Sequence, residues 1–147
     1  MSKNIVYFDL ETQRSANDVG GWNHIDRMGM SIGVTYSTAR GGYMVYGEPQ
    51  VNDLIQELQR ADLVVGFNHI RFDYKVLEGY SVFDFSQVPS LDMLVDLNER
   101  LGHRLKLVEL GQLFPLSLVD AVFQVLDSAL QGDHRLDLLA QYQLDIG

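Results

Sequence analysis

Apolar residues along the first hundred positions fall into two alternating spacings. Asn4–Leu10 is a nearly unbroken run of branched and aromatic side chains, the pattern of a strand covered on both faces and therefore central in a sheet. Ser31–Ser37 and Gly42–Tyr46 read as two further strands joined through "TARG", with Gly41 and Gly42 free to take positive φ. Over Val51–Arg60 the apolar positions are 51, 54, 55 and 58, one face of a helix, with Asn52 or a neighbour as its cap. Leu63–Phe67 is a short apolar run of the kind a buried parallel strand shows, and it ends in Asn68. A helix over 72–78 follows, then a fifth strand over Val88–Leu91. The stretch "SLDMLVDLNERLG" reads as a helix capped by Gly102, and from Leu105 the pattern is helical throughout, punctuated by Pro115 and Gly132.

Three meandering strands, then alternating helix and strand, then helices, predict an α/β three-layer fold with a mixed five-stranded sheet flanked by helices. The 147 residues suit one domain, 1–147, with no linker or repeat inside it. The absence of cysteine removes disulfides, thiolate metal sites and cysteine nucleophiles, so that any metal needs oxygen or histidine ligands. No apolar run approaches a membrane span or a signal peptide, and a soluble, cytoplasmic protein is expected. A net charge of −9 argues against a broad basic surface for nucleic acid.

Three places carry candidate chemistry. Asp9 and Glu11 stand two apart on an extended chain, so both face one side, with Leu10 directed to the other. Two neighbouring carboxylates repel unless one is protonated or a cation lies between them, and Mg²⁺ or Mn²⁺ meets that need with oxygen ligands. The plainer alternative is a strand leaving the core through polar residues. Asp73 follows the next buried strand in the first turn of a helix, where it could face the same sheet end or simply favour the helix N-terminus. Tyr142 and Asp145 lie three apart on one face of the last helix, a pattern that also suits an ordinary amphipathic helix.

In this order the motifs "FDLET", "NHIRFD" and the C-terminal "YQLD" resemble the DEDD superfamily of 3′→5′ exonucleases, which share the ribonuclease H-like fold. "SLDMLVDLNERLGHRLKLVELGQ" and "GDHRLDLLAQY" are similar to segments of a bacterial and phage group within it, so the resemblance spans nearly the whole chain. It implies two divalent ions, Mg²⁺ or Mn²⁺, held by Asp9, Glu11, Asp73 and Asp145, cutting phosphodiester bonds of DNA or RNA from a 3′ end. Tyr142 would position the attacking water. Leu10 and Thr12 would lie near the terminal nucleotide, and Asn68 and Phe72 would shape its pocket. Two bound ions would cancel the local acidic charge, while Arg71, Lys75, Arg104 and Lys106 would offer a modest basic track. The third motif departs from the tyrosine branch's Y-x-x-x-D: Gln141 stands four residues before Asp145.

The four histidines, 24, 69, 103 and 134, lack metal-ligand spacing and read as surface or loop residues. Trp22, behind Gly20 and Gly21, reads as a loop anchor, with base stacking as the alternative. The competing functional reading is a catalytically weak ribonuclease H-like module that binds nucleic acid or a partner protein. A larger nuclease or helicase context is a further expectation.

Overall fold

The computed structural model of the protein describes residues 3–102. Five strands are present there: β1 (Ile5–Thr12), β2 (Met30–Ser37), β3 (Gly42–Gly47), β4 (Leu63–Gly66) and β5 (Ser90–Asp92). They lie side by side in the order β3-β2-β1-β4-β5. β1 pairs antiparallel with β2, and β2 with β3, whereas β1–β4 and β4–β5 are parallel. This is the mixed sheet expected of the α/β ribonuclease H-like plan, with β1 at its centre. The chain divides into two compact units, Met1–Met93 and Leu94–Gly147, and the first holds the whole sheet.

Alternation along β1 puts Val6, Phe8 and Leu10 on one face, where they join the main apolar core. Helix α2 (Val51–Arg60) contributes Val51, Leu54, Ile55 and Leu58 to that core, the 3- and 4-residue spacing read from the sequence. Helix α3 (Asp73–Glu78) adds Tyr74, Val76 and Leu77. Leu54, Leu58 and Leu77 are fully buried, and each such side chain contributes roughly 1.5–3 kcal/mol of apolar burial. The helices expected from Leu105 onward lie outside the described residues.

Several boundaries differ from expectation. β1 starts one residue later and runs two residues further, so Glu11 as well as Asp9 lies within the strand; its pairing with β2 slips between Glu11 and Thr12, where a bulge ends the regular ladder. β4 stops at Gly66, one residue early. β5 takes Ser90–Asp92, residues that had been divided between a strand and a helix, because parallel pairing with Val64, Val65 and Gly66 fixes them. The next helix, Met93–Leu101, therefore starts later, and Gly102 follows it at φ +72°. Gln50, not Asn52, caps α2, without a side-chain hydrogen bond, and a 3₁₀ turn, Glu48–Gln50, leads into it. Of the two glycines after Arg40, Gly41 alone takes positive φ, at +70°.

Between β1 and β2 the structure has two short elements that hydrophobic periodicity did not predict: the single turn α1 (Ala16–Val19) and a 3₁₀ segment, Trp22–Arg27. α1 buries no residue and is held by local chemistry. Ser15 N donates to Asp18 Oδ2 at 2.7 Å, Asp18 N donates back to Ser15 Oγ at 3.3 Å, and Gly20 closes the turn at φ +94°. The 3₁₀ segment packs on α3 at Gly79, where an added Cβ would lie 2.1 Å from Asp26 O.

Candidate functional site

Three parallel strands bring acids to one edge of the sheet. β1 carries Asp9 and Glu11 near its C-terminal end, Asp73 opens the helix that follows β4, and Asp92 is the last residue of β5. The C-terminal ends of parallel strands are where α/β sheets form their sites, because the chain leaves each strand there and the loops diverge. All four acids are buried, at 6%, 6%, 3% and 4% exposure respectively. Period-two alternation sets Asp9 and Glu11 on the face of β1 opposite Val6, Phe8 and Leu10. Leu10 thus lies in the apolar core on the α2 and α3 side, away from the acids beside it in sequence.

The electrostatics of Asp73 report the crowding. Burial pushes its carboxyl well above the ordinary carboxylate range, and the charges of Asp9, Glu11 and Asp92 push it further the same way. A pocket in which a carboxyl is driven to keep its proton by its own neighbours is one in which a cation is favoured.

Asp92 is the acid that motif reading missed. Its Oδ1 accepts from Asn68 N at 2.8 Å and its Oδ2 from Ile70 N at 3.3 Å. These bonds hold the loop that delivers Asp73. Within it Asn68 sits at φ +58°, a left-handed conformation that asparagine tolerates better than most residues. The loop then tightens into α3 through Phe72 N to Asn68 O at 3.1 Å and Tyr74 N to His69 O at 2.9 Å. Asp92 does follow an apolar residue at a strand end, as Asp9 does, but a lone acid before a helical pattern reads as a helix-start residue.

His69 lies in the β4–α3 loop, one of the two positions expected for it, and is wholly buried there. Its Nδ1 stands 3.8 Å from Asp92 Oδ2, and its ring lies over Gly66, where a Cβ would come within 2.6 Å of the imidazole Cγ. The glycine makes room for the ring. Burial pulls the His69 pKa down to about 4, with the Asp92 charge pulling the other way.

Of the remaining expected residues, Asn68 and Phe72 occupy the β4–α3 loop, half-buried, and Thr12 lies at the bulge with Oγ1 donating to Arg14 O at 3.0 Å. Arg71 and Lys75 are exposed, and Lys75 pairs with Glu78 at 3.1 Å. Tyr142 and Asp145, with Arg104, Lys106, His103 and His134, lie outside the described residues. The donors that are described fit a hard divalent ion in kind, being buried carboxylates under mutual repulsion. Among the described residues, however, no group of three or more His, Cys, Asp or Glu side chains is arranged to hold a metal ion. No helix among them is long and apolar enough to cross a membrane.

No family model matches the chain, and no curated protein matches it. Among solved structures it is similar to the family B DNA polymerase from the hyperthermophilic archaeon Pyrobaculum calidifontis, with a TM-score of 0.48 at 13% identity. The alignment covers 99% of this chain and 23% of that one, so the chain spans less than a quarter of the polymerase's length.

Proposed function

We propose that the protein is a divalent-metal-dependent nuclease, with 1–147 as its nuclease domain, that hydrolyses phosphodiester bonds of DNA or RNA from a 3′ end. The observation that carries this reading is the convergence of Asp9, Glu11 and Asp73 at one sheet end, buried, with Asp73 driven toward its protonated form by its neighbours. Structural stability gives no reason to bury like charges together, since each costs desolvation and repels the others.

On this reading Asp9, Glu11 and Asp73 hold Mg²⁺ or Mn²⁺, and Asp145 completes the set. Bound divalent ions would supply the Lewis acidity that activates water and stabilises the leaving oxygen of an in-line attack. A bound cation would oppose the repulsion that pushes the Asp73 carboxyl upward. The loop bonds from Asp92 fix where Asp73 stands, Asn68, Phe72 and Thr12 border the approach, and Tyr142 orients the water.

A second reading, a ribonuclease H-like module that binds nucleic acid or a protein without cutting, is favoured by one fact: the described acids do not form a three-ligand set as they stand. One experiment separates the two. A 5′-labelled single strand incubated with the full chain and Mg²⁺ or Mn²⁺ at low salt is expected to shorten stepwise, and Asp9→Ala is expected to abolish shortening. Retention of the strand without cleavage by either metal supports the binding module and overturns the nuclease.

A further inference from the structure

The loop between β1 and β2 leaves the sheet beside the acids and carries the chain's one tryptophan, Trp22, to the residue that precedes Asp73. Trp22 is 53% exposed, and its ring meets that of Phe72 at a centroid distance of 6.4 Å and an angle of 61°. Rings that meet at such an angle are not stacked on one another, and about half of the tryptophan remains open to solvent. Phe72 is itself partly buried against the main core, so the indole leans on an anchored neighbour.

The segment holding Trp22 is braced at every side. Gln13 N donates to Gly29 O at 3.0 Å and Arg14 N to Met28 O at 3.1 Å, closing the loop's stem. Met30 N donates to Tyr80 Oη at 2.8 Å, and Tyr80 Oη donates to Glu48 Oε2 at 2.7 Å. Ile25 packs against the core, and Gly79 allows α3 to touch the Asp26 carbonyl. Immediately before Trp22 stand Gly20 and Gly21 at φ +94° and +121°, backbone conformations that side chains other than glycine rarely adopt. An apolar ring of this size held out toward water, on a fixed loop at an acid-lined sheet end, loses burial that packing alone would have claimed.

We propose that Trp22 is a nucleobase-stacking site: it takes the base of the nucleotide whose phosphate lies at the acids, and so directs the protein to unpaired 3′ ends. This rests on the nuclease reading and names its substrate more narrowly. Stacking on an indole requires a base free of its duplex neighbours, which favours single strands and frayed ends over blunt duplex. Because every base has a π-face, little preference among the four bases is expected.

Trp22 is also the only tryptophan fluorophore, so its emission reports the contact directly. The experiment titrates the full chain, with Ca²⁺ in place of Mg²⁺ at low salt, with a fluorescein-labelled single-stranded pentamer and with the same pentamer lacking its 3′-terminal base. Anisotropy reads binding and tryptophan emission reads stacking. Binding with quenched emission is expected for the intact pentamer, with affinity roughly ten-fold weaker for the abasic one. Trp22→Phe should keep most of the affinity, and Trp22→Ala should lose about ten-fold while its far-ultraviolet circular dichroism stays unchanged. In Mg²⁺ the Trp22→Ala loss should appear in KM, with kcat within about two-fold of wild type. Binding without quenching, equal affinity for both pentamers, or Trp22→Ala cutting with unchanged KM overturns the stacking site and leaves the nuclease standing. Quenching that depends on the terminal base in a protein that never cuts does the reverse. Absence of any anisotropy change overturns the stacking site.

Discussion

Replacing Asp73 by asparagine should stabilise the metal-free protein while destroying the proposed nuclease activity, and the size of the gain should grow with pH. In the unfolded chain Asp73 is an ordinary carboxyl with a pKa near 3.8, whereas in the folded chain burial and the charges of Asp9, Glu11 and Asp92 raise it well above that. The folded state therefore holds a proton that the unfolded state releases. Stability from this group is fully present below 3.8 and is lost as pH rises toward the folded pKa. The loss per pH unit is about 1.4 kcal/mol for one proton. Neutral pH is roughly three units above the model carboxyl, so the penalty is capped near ~4 kcal/mol at pH 7. Asparagine has the same shape and no such titration.

Urea unfolding in EDTA at several pH values between about 4.5 and 7.5, run on both proteins, measures the difference. His69 titrates with the opposite sign: its folded pKa of about 4 lies below the model value of 6.5, so its contribution is lost as pH falls through that window. It is common to both proteins and cancels in the difference. The stability of Asp73→Asn minus that of wild type should therefore climb with pH from its acid value. Adding Mg²⁺ should shrink the gap by stabilising wild type through its binding free energy. A difference that stays flat with pH, or an asparagine variant less stable at pH 7, would show that Asp73 is an ordinary solvated anion and would refute the crowded-acid account of the site.

Two further outcomes follow from the loop that delivers Asp73 and the loop that carries Trp22. Asp92→Ala strips the carboxylate from two backbone N–H groups, those of Asn68 and Ile70. It should cost about 2–4 kcal/mol in urea unfolding and weaken Mn²⁺ binding by calorimetry; a loss under about 0.5 kcal/mol would mean the loop holds its shape without it. Gly79→Ala drives a Cβ to 2.1 Å from the Asp26 carbonyl oxygen, a backbone atom with little room to move. It should lower stability by about 1–3 kcal/mol, and an unchanged melting temperature would show that α3 and the 3₁₀ segment are not in firm contact.

Where hydrophobic period alone decides an element, the chain was legible. α2 has the bounds expected of it because Val51, Leu54, Ile55 and Leu58 can share a core only as a helix. β1 was readable as central because both of its faces need cover. β5 was misplaced because three residues cannot display alternation, and its bounds come from pairing with β4 across a loop and a helix. α1 and the Trp22 segment were unreadable for a related reason. The first buries nothing and the second buries no residue fully, so no apolar rhythm marks either; the Ser15 cap holds α1, and two positive-φ glycines lead from it into the Trp22 segment.

The site divides along the same line. Asp9 and Glu11 could be placed on one face from spacing alone, since a strand's two-residue period is a local property. Asp73 could be placed near them because β1 and β4 run parallel, which the apolar character of both strands already implied. Asp92 could not be found that way, because its partners are the backbone N–H groups of residues 24 and 22 positions earlier. Spacing cannot mark such a pair. Both of its oxygens accept from loop amides, and those bonds hold the turn at Asn68 that leads to Asp73. On the proposed reading Asp92 would act on the metal site through the loop it ties down, so that its loss should show first in stability and only then in metal affinity.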